Sequence, residues 1–187
     1  MYKLVQTDRE LQQFNGIWTK AWIEKGFELE FSEGIVDRIL VYDELCQPVG
    51  TVEIKPYLAG SPLDEVAPFQ EQDILQESRE CGLLAEVDKV ALLKEHRGKN
   101  INRLLSTLTR YAEDHDIHYY VSLLDPILYR ALRITFHLPM DRVGGKIFYK
   151  GADVIPIIIH AKQIYSHKGD YDWFYVPAAS EQTMVLG

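Results

Sequence analysis

The sequence predicts an α/β fold of the mixed, α+β kind, one domain in which helices pack on a mixed sheet. Three observations predict it. The chain has 187 residues, 47% hydrophobic and 26% charged, which is enough to bury one core and is most simply a single domain. Apolar positions run in the order helix, two antiparallel strands, helix, strand, helix, strand, helix, two strands. The stretch from Glu86 to Arg103, E-V-D-K-V-A-L-L-K-E-H-R-G-K-N-I-N-R, reads as a buried strand entering a basic loop that opens a helix. A helix start presents unpaired N–H groups and a partial positive charge, so this segment is built to hold an anion.

Each element has a local reason. Thr7 followed by Glu10 is a capping-box signal, and Leu11, Phe14, Ile17, Trp18, Ala21 and Trp22 continue at helical spacing to a stop at Gly26. Val36 to Tyr42 and Pro48 to Tyr57 are β-rich runs around D-E-L-C-Q-P, expected to form an antiparallel hairpin. A polar stretch with Pro62 and Pro68 leads to a helix expected from Phe69 to Cys81, ending at Gly82. Val87, Val90, Ala91, Leu92 and Leu93 suit a strand covered on both faces, and Leu104, Leu105, Leu108 and Tyr111 repeat as the next helix. Tyr119 to Leu123 is a strand, Asp125 and Pro126 start a helix, and Arg142 to Lys150 and Asp153 to Ala161 are two strands joined at Lys150, Gly151 and Ala152. From Tyr165 onward the sequence assigns only a tail rich in aromatics, so residues 1–164 are expected to form the domain and 165–187 the tail.

Composition excludes several classes. No apolar run reaches the roughly 18 residues of a membrane helix, and M-Y-K-L-V-Q-T-D-R-E lacks the apolar region of a signal peptide, so a soluble, cytoplasmic protein is expected. Cys46 and Cys81 are far apart and read as reduced thiols. A formal net charge of -8 argues against general nucleic-acid binding. Between Lys89 and Arg110, however, Lys89, Lys94, Arg97, Lys99, Arg103 and Arg110 face one acid, Glu95. Such a basic island suits a discrete anionic ligand or an acidic partner; a solvated helix face is the alternative. His115 and His118 lack a third ligand, and no metal is expected. No Ser-His-Asp or Cys-His arrangement stands out, which favours direct transfer over a covalent intermediate in any acyl chemistry.

The strand, basic loop and helix resemble the GNAT superfamily of acyltransferases, whose loop reads Arg or Gln, two residues, Gly, one residue, then Gly or Ala. Arg97, Gly98 and Lys99 fit, and Asn100 and Asn102 stand where the small residues belong. E-V-D-K-V-A-L is similar to the E-x-x-R-x-A-V signature of autoinducer synthases and long-chain N-acyl amino acid synthases, with Glu86 in place and Lys89 for the Arg. R-V-G-G-K-I-F-Y-K-G resembles their G-x-x-x-x-Y-x-G hairpin through Gly144, Tyr149 and Gly151, and Y-Y-V-S-L-L-D-P-I-L-Y-R-A-L their strand, acidic residue, Pro and helix. V-G-T-V-E-I-K-P-Y resembles their V-G-T-x-R-L-x-P strand with Glu53 replacing the Arg. The likeness spans Val36 to Ile159.

The resemblance implies a GNAT-like, mostly antiparallel sheet and an N-acyltransferase that moves an acyl group from a pantetheine thioester to the amine of a small molecule. The cosubstrate would be acyl-CoA or an acyl-phosphopantetheine, the latter brought by acyl carrier protein. Main-chain groups of Val90, Ala91 and Leu92 would pair with the pantetheine, and Arg97, Gly98, Lys99, Asn100, Ile101, Asn102 and Arg103 would hold its phosphate. Glu86 is the candidate general base or amine-positioning group, against a salt-bridged Glu paired with Lys89. Tyr129 and Tyr149 are candidates to protonate the leaving thiolate, against packing roles; Leu132 approximately occupies the usual tyrosine position. Trp18, Trp22 and Phe27 would line an acyl or acceptor pocket, against simple core. An acetyl-CoA-dependent N-acetyltransferase and a noncatalytic binding or interaction module are the alternatives; acceptor, chain length and oligomeric state stay open.

Overall fold

The computed structural model describes residues 2–176, and its sheet grows from local signals in the chain. Helix α1 (Asp8–Lys25) starts at Thr7, whose hydroxyl accepts from the Glu10 N–H while the Glu10 side chain reaches back, and it stops at Gly26 in the left-handed conformation. Strands β1 (Lys3–Leu4), β2 (Asp37–Tyr42), β3 (Pro48–Pro56) and β4 (Leu84–Leu92) form one antiparallel half. Helices α2 (Leu63–Val66) and α3 (Asp73–Glu80) connect β3 to β4. Helix α4 (Arg97–Asp114) leads to β5 (Tyr119–Leu124), parallel to β4. Helix α5 (Pro126–Arg130), strands β6 (Met140–Arg142), β7 (Ile147–Tyr149) and β8 (Ala152–Ile159), and helix α6 (Ala161–Ser166) complete the order. The eight-stranded sheet runs β1-β2-β3-β4-β5-β8-β6, with β7 also on β8. It is the mixed, mostly antiparallel sheet expected.

Alternation along the strands decides the two faces. Leu40 packs under α1, whereas Ile39 and Val41 on either side of it pack in the core shared with α4. Leu84 and Val121 pack with α2 and its neighbours, while Ala85 and Tyr120 join the α4 core. Thus α1, α2 and α3 cover one face, and α4 and α6 the other.

Two elements differ from their sequence expectation. The helix expected from Phe69 to Cys81 is a short 3-10 turn, Phe69–Glu71, then α3, with Gln72 extended between them. Phe69 and Leu75 are both fully buried, yet six residues apart they would point about 120° away from each other on one continuous helix. Breaking the helix lets both reach the core. The strand expected from Arg142 to Lys150 is interrupted between β6 and β7, where Gly144 has φ 89°. Pro156 of β8 faces that gap with its carbonyl, which accepts from the Val143 N–H at 2.9 Å, and it has no N–H to offer a partner there.

Residues beyond α6 pack back on the domain. The Trp173 indole N–H donates to the Phe136 carbonyl at 2.9 Å, and the Tyr175 N–H to Ser106 Oγ at 2.7 Å. Residues 177–187 of the expected tail lie outside the described ones.

Candidate functional site

The site is a place where the sheet comes apart. Parallel pairing of β4 with β5 ends at Glu86 opposite Val121, although both strands continue, and the strands part beyond it. A β-bulge in β4 contributes: Thr51 faces Ala91 and Glu53 faces Asp88, so the partner strand spends fewer residues over this stretch. Lys89 sits in the bulge with φ 45°, and its carbonyl accepts from the Thr51 hydroxyl at 2.8 Å.

A cleft of about 450 Å³ fills the gap and passes through the sheet. On the α1 side it meets Ala21, Trp22, Phe27 and Ala91; on the α4 side it meets Ile101, Leu104, Leu124, Leu128 and Phe136. The backbone from Val87 to Leu92 forms one wall, so main-chain groups freed from β5 border the cavity. The segment after α1 crosses over it. The Glu28 N–H donates to the Lys150 carbonyl at 3.0 Å, and Gly151, with φ 86°, lies so close to the Gly26 carbonyl that a Cβ would collide with it. Lys25 pairs with Asp125, which also caps α5 by accepting from the Ile127 and Leu128 N–H groups, both at 3.0 Å.

The start of α4 stands at the cleft. A 3-10 turn, Lys94–His96, precedes it, so Arg97 to Arg103 are helical rather than looped. Arg97, Gly98 and Ile101 face the cavity. Arg97 Nε donates to the Leu92 carbonyl at 3.0 Å, and its Nη2 pairs with Glu24 at 3.1 Å. Asn100 is 4% exposed and turned inward, donating to the His96 carbonyl at 3.2 Å. The Asn100 side chain therefore does not occupy the anion's approach. Lys99 is exposed, Asn102 is half-buried outside the cleft lining, and the Arg103 guanidinium lies over the Tyr175 ring at 4.1 Å.

On the α1 face next to the cleft lies a polar cluster. Glu86 accepts an ion pair from Lys55 at 2.9 Å and a long contact from Ser61 Oγ at 3.4 Å. Burial raises the Glu86 carboxyl above its usual range, and Lys55 opposes that rise without cancelling it. Asp88, on the same strand face, lines the cleft directly and reaches Lys55 at 3.7 Å. Tyr149 also lines it, its phenol raised by burial and then by Asp88 and Glu86. Lys89 is not the partner of Glu86; its ammonium is buried against Glu53 at 2.5 Å.

Not every predicted position borders the cleft. Val90, Ala91, Leu92, Arg97, Gly98, Ile101 and Tyr149 do, as do Trp22 and Phe27. Glu86 is outside the lining, Trp18 of α1 is fully buried, and the hydroxyl of Tyr129, also outside it, accepts from Arg133 at 2.8 Å. Sequence reasoning missed Asp88, Lys25, Leu124, Phe136 and Val154. Strand alternation from Glu86 signals Asp88; nothing local signals the others. Among the described residues no group of three or more His, Cys, Asp or Glu could hold a metal ion, and no helix is long and apolar enough to cross a membrane.

A mixed sheet split between two parallel strands, with a helix start at the split, defines the GNAT-like fold. In particular, the chain is similar to the N-acyl amino acid synthase FeeM from uncultured soil microbes, at 18% identity over 87% of this chain and 91% of that one, with a TM-score of 0.68. The acyl-homoserine lactone synthase LasI matches at 14% identity over 90% and 94%, TM-score 0.65. A CoA-dependent acyl-homoserine lactone synthase, BjaI, with SAM and isopentyl-CoA bound, matches at 11% over 91% and 88%, TM-score 0.63. No family model matches the sequence, nor does any curated protein. At these identities the likeness is one of fold.

Proposed function

We propose that this chain is an N-acyltransferase that moves an acyl group from a pantetheine thioester to the amine of a small molecule. The observation that carries the reading is the cleft through the sheet, bordered by free β4 backbone on one side and the start of α4 at its mouth. A pantetheine arm has amides that pair with strand backbone as an added strand, and a phosphate that suits the helix start with Arg97. The solved structures of like fold support the class, since they include an N-acyl amino acid synthase and a synthase holding isopentyl-CoA.

The transfer is direct. The amine nitrogen attacks the thioester carbonyl, the C–N bond forms, and the C–S bond breaks to release the thiol. Asp88 attracts the incoming ammonium at the cleft, and Glu86, set outside the lining with a raised carboxyl, takes the proton through a water. Tyr149 keeps its proton at neutral pH and supplies one to the departing thiolate. The preferred donor is phosphopantetheine on an acyl carrier protein. Two facts support this donor: α4 begins without a glycine-rich loop for a pyrophosphate, and Lys94 and Lys99 are exposed beside it for an acidic carrier.

Thermal unfolding with coenzyme A, acetyl-CoA, long-chain acyl-CoA and acyl carrier protein tests the reading, because a ligand of the native state raises Tm. Carrier-borne and long-chain donors should raise it most. Stabilisation by acetyl-CoA alone would make the protein an N-acetyltransferase, and stabilisation by none would remove the donor site.

A further inference from the structure

The cleft has two chemically different ends. Toward α1 it is mixed, with Lys25, Asp88, Tyr149 and Lys150 beside the apolar Trp22 and Phe27; beyond the first turn of α4 it is apolar, meeting Leu104, Leu124, Leu128, Ala131, Phe136 and Val154. Ser122 borders the cavity too, but its hydroxyl is committed to the Val87 carbonyl at 2.8 Å. A pantetheine amide at the α4 end would lose water without gaining side-chain partners, whereas an alkyl chain loses nothing.

The largest side chain on that apolar wall, Phe136, owes its place to a backbone irregularity. Helix α5 runs directly into a π-turn, Ala131–Thr135, in which the Phe136 N–H donates to the Ala131 carbonyl at 3.2 Å and the Leu138 N–H to Leu132 at 3.0 Å. Leu128 and Ala131 face the cleft. On a regular helix the next residue on that face would be Thr135; the extra residue of the π-turn substitutes Phe136 and leaves Thr135 exposed. Phe136 is then held from behind, because Trp173 donates to its carbonyl while Tyr175, two residues on, is fastened to Ser106 of α4. Residues 173–175 thus tie the π-turn to the opposite wall.

We propose that Phe136 is the end wall that sets the length of acyl chain this cleft accepts, making it a specificity-determining residue; the proposal rests on the donor reading above. The backbone that carries this ring is held by the π-turn and by the bond from Trp173 to its carbonyl, so the stop keeps its place and affinity should rise with chain length until the chain meets it, then fall.

The test is calorimetric titration with non-transferable S-alkyl phosphopantetheine thioethers of increasing length. Wild-type affinity should gain about fourfold per methylene up to a maximum. Phe136→Ala should move that maximum to longer chains and Phe136→Trp to shorter ones; Phe136→Leu gives the lengthening with less disturbance if the alanine variant folds poorly. Thr135→Ala should leave the maximum in place. A merely structural Phe136 would lower Tm in these variants without moving the maximum in opposite directions, and coincident maxima overturn the end wall while leaving the donor site standing. If no thioether of any length binds the wild type, the donor reading fails and the end wall with it.

Discussion

Lys89 and Glu53, the two residues that stand where the motifs this chain resembles carry Arg, are partners. The ammonium and carboxylate meet at 2.5 Å with side chains 2% and 0% exposed. Ser32 Oγ joins at 2.6 Å from Lys89 and 2.5 Å from Glu53, Arg38 pairs with Glu53 at 3.1 Å, and the Trp18 ring lies 5.3 Å from the ammonium. A carboxylate buried at position 53 needs a countercharge, and Lys89 and Arg38 supply it. The cluster also fastens Ser32, and with it the irregular stretch after Phe27, to the sheet beside the cleft.

Such a pair is costly to break from one side only. Lys89→Met should destabilise by about 3–5 kcal/mol, since Arg38, 25% exposed, is the one cation among the described residues then left against Glu53. Lys89→Met with Glu53→Gln should recover a large part of that loss. Urea unfolding of the single and double variants checks it; additive losses would mean that the two residues do not act as a pair.

Helix α1 roofs the cleft, and its start depends on one acid. The Gln6 N–H, foremost, and then Lys3 and the Thr7 N–H hold the Glu10 carboxyl down to about 2. A depressed carboxyl contributes stability that is present above the ordinary value of 4.5 and is lost as pH falls toward about 2. Glu10→Gln should therefore flatten the acid limb of the stability curve, and Thr7→Ala should cost about 1 kcal/mol at neutral pH. Chemical denaturation at a series of pH values reads both effects.

These two predictions rest on features that differ in how visible they are in the chain. The α1 caps lie within a few residues of what they cap, so Thr7, Glu10 and Gly26 announce the helix by themselves. Val90 to Leu92 and Arg97 to Ile101 are continuous in sequence, which is why one stretch located much of the cleft. The break at Gln72 depends on Phe69 and Leu75 both reaching the same core, and the break between β6 and β7 depends on Pro156 in another strand. Neither signal is local. Phe136 was hidden because a π-turn shifts the helical period that pattern reading assumes, and the end clamp because Trp173 acts across 37 positions. The inward turn of Asn100 was equally out of reach, since an Asn at a glycine position reads as an obstruction until its partner, the His96 carbonyl, is known.

Arg97 divides its guanidinium between the Leu92 carbonyl and Glu24, so its availability to a phosphate is tunable. Arg97→Ala should weaken binding of a phosphopantetheine donor about tenfold or more, as expected for loss of a charge-assisted hydrogen bond. Glu24→Gln should act the other way. The Arg97 and Glu24 side chains are 38% and 32% exposed, so their pairing is worth at most about 1 kcal/mol, and releasing it should tighten the donor by up to about fivefold. Titration of both variants with the same donor separates the outcomes: equal affinity in all three proteins would detach Arg97 from the phosphate.

Glu86 makes the sharpest prediction because its neighbours push its carboxyl in opposite directions. Burial raises it, Lys55 lowers it, and Asp88 raises it again. A base works deprotonated, so kcat/KM should fall as pH drops through a value above the ordinary glutamate range. Glu86→Gln should abolish that acidic limb together with most of the turnover. Lys55→Met withdraws the lowering influence and should move the limb to higher pH; Asp88→Asn withdraws a raising one and should move it to lower pH, with an added loss in KM from the weaker pull on the ammonium. For stability the sign is reversed relative to Glu10: a raised carboxyl destabilises the fold as pH climbs from the unfolded toward the folded value. Glu86→Gln should then be less sensitive to pH than the wild type across that window. If the limb stays fixed in both neighbour variants, the proton is taken elsewhere, and Asp88, the carboxylate that lines the cleft itself, becomes the group to test.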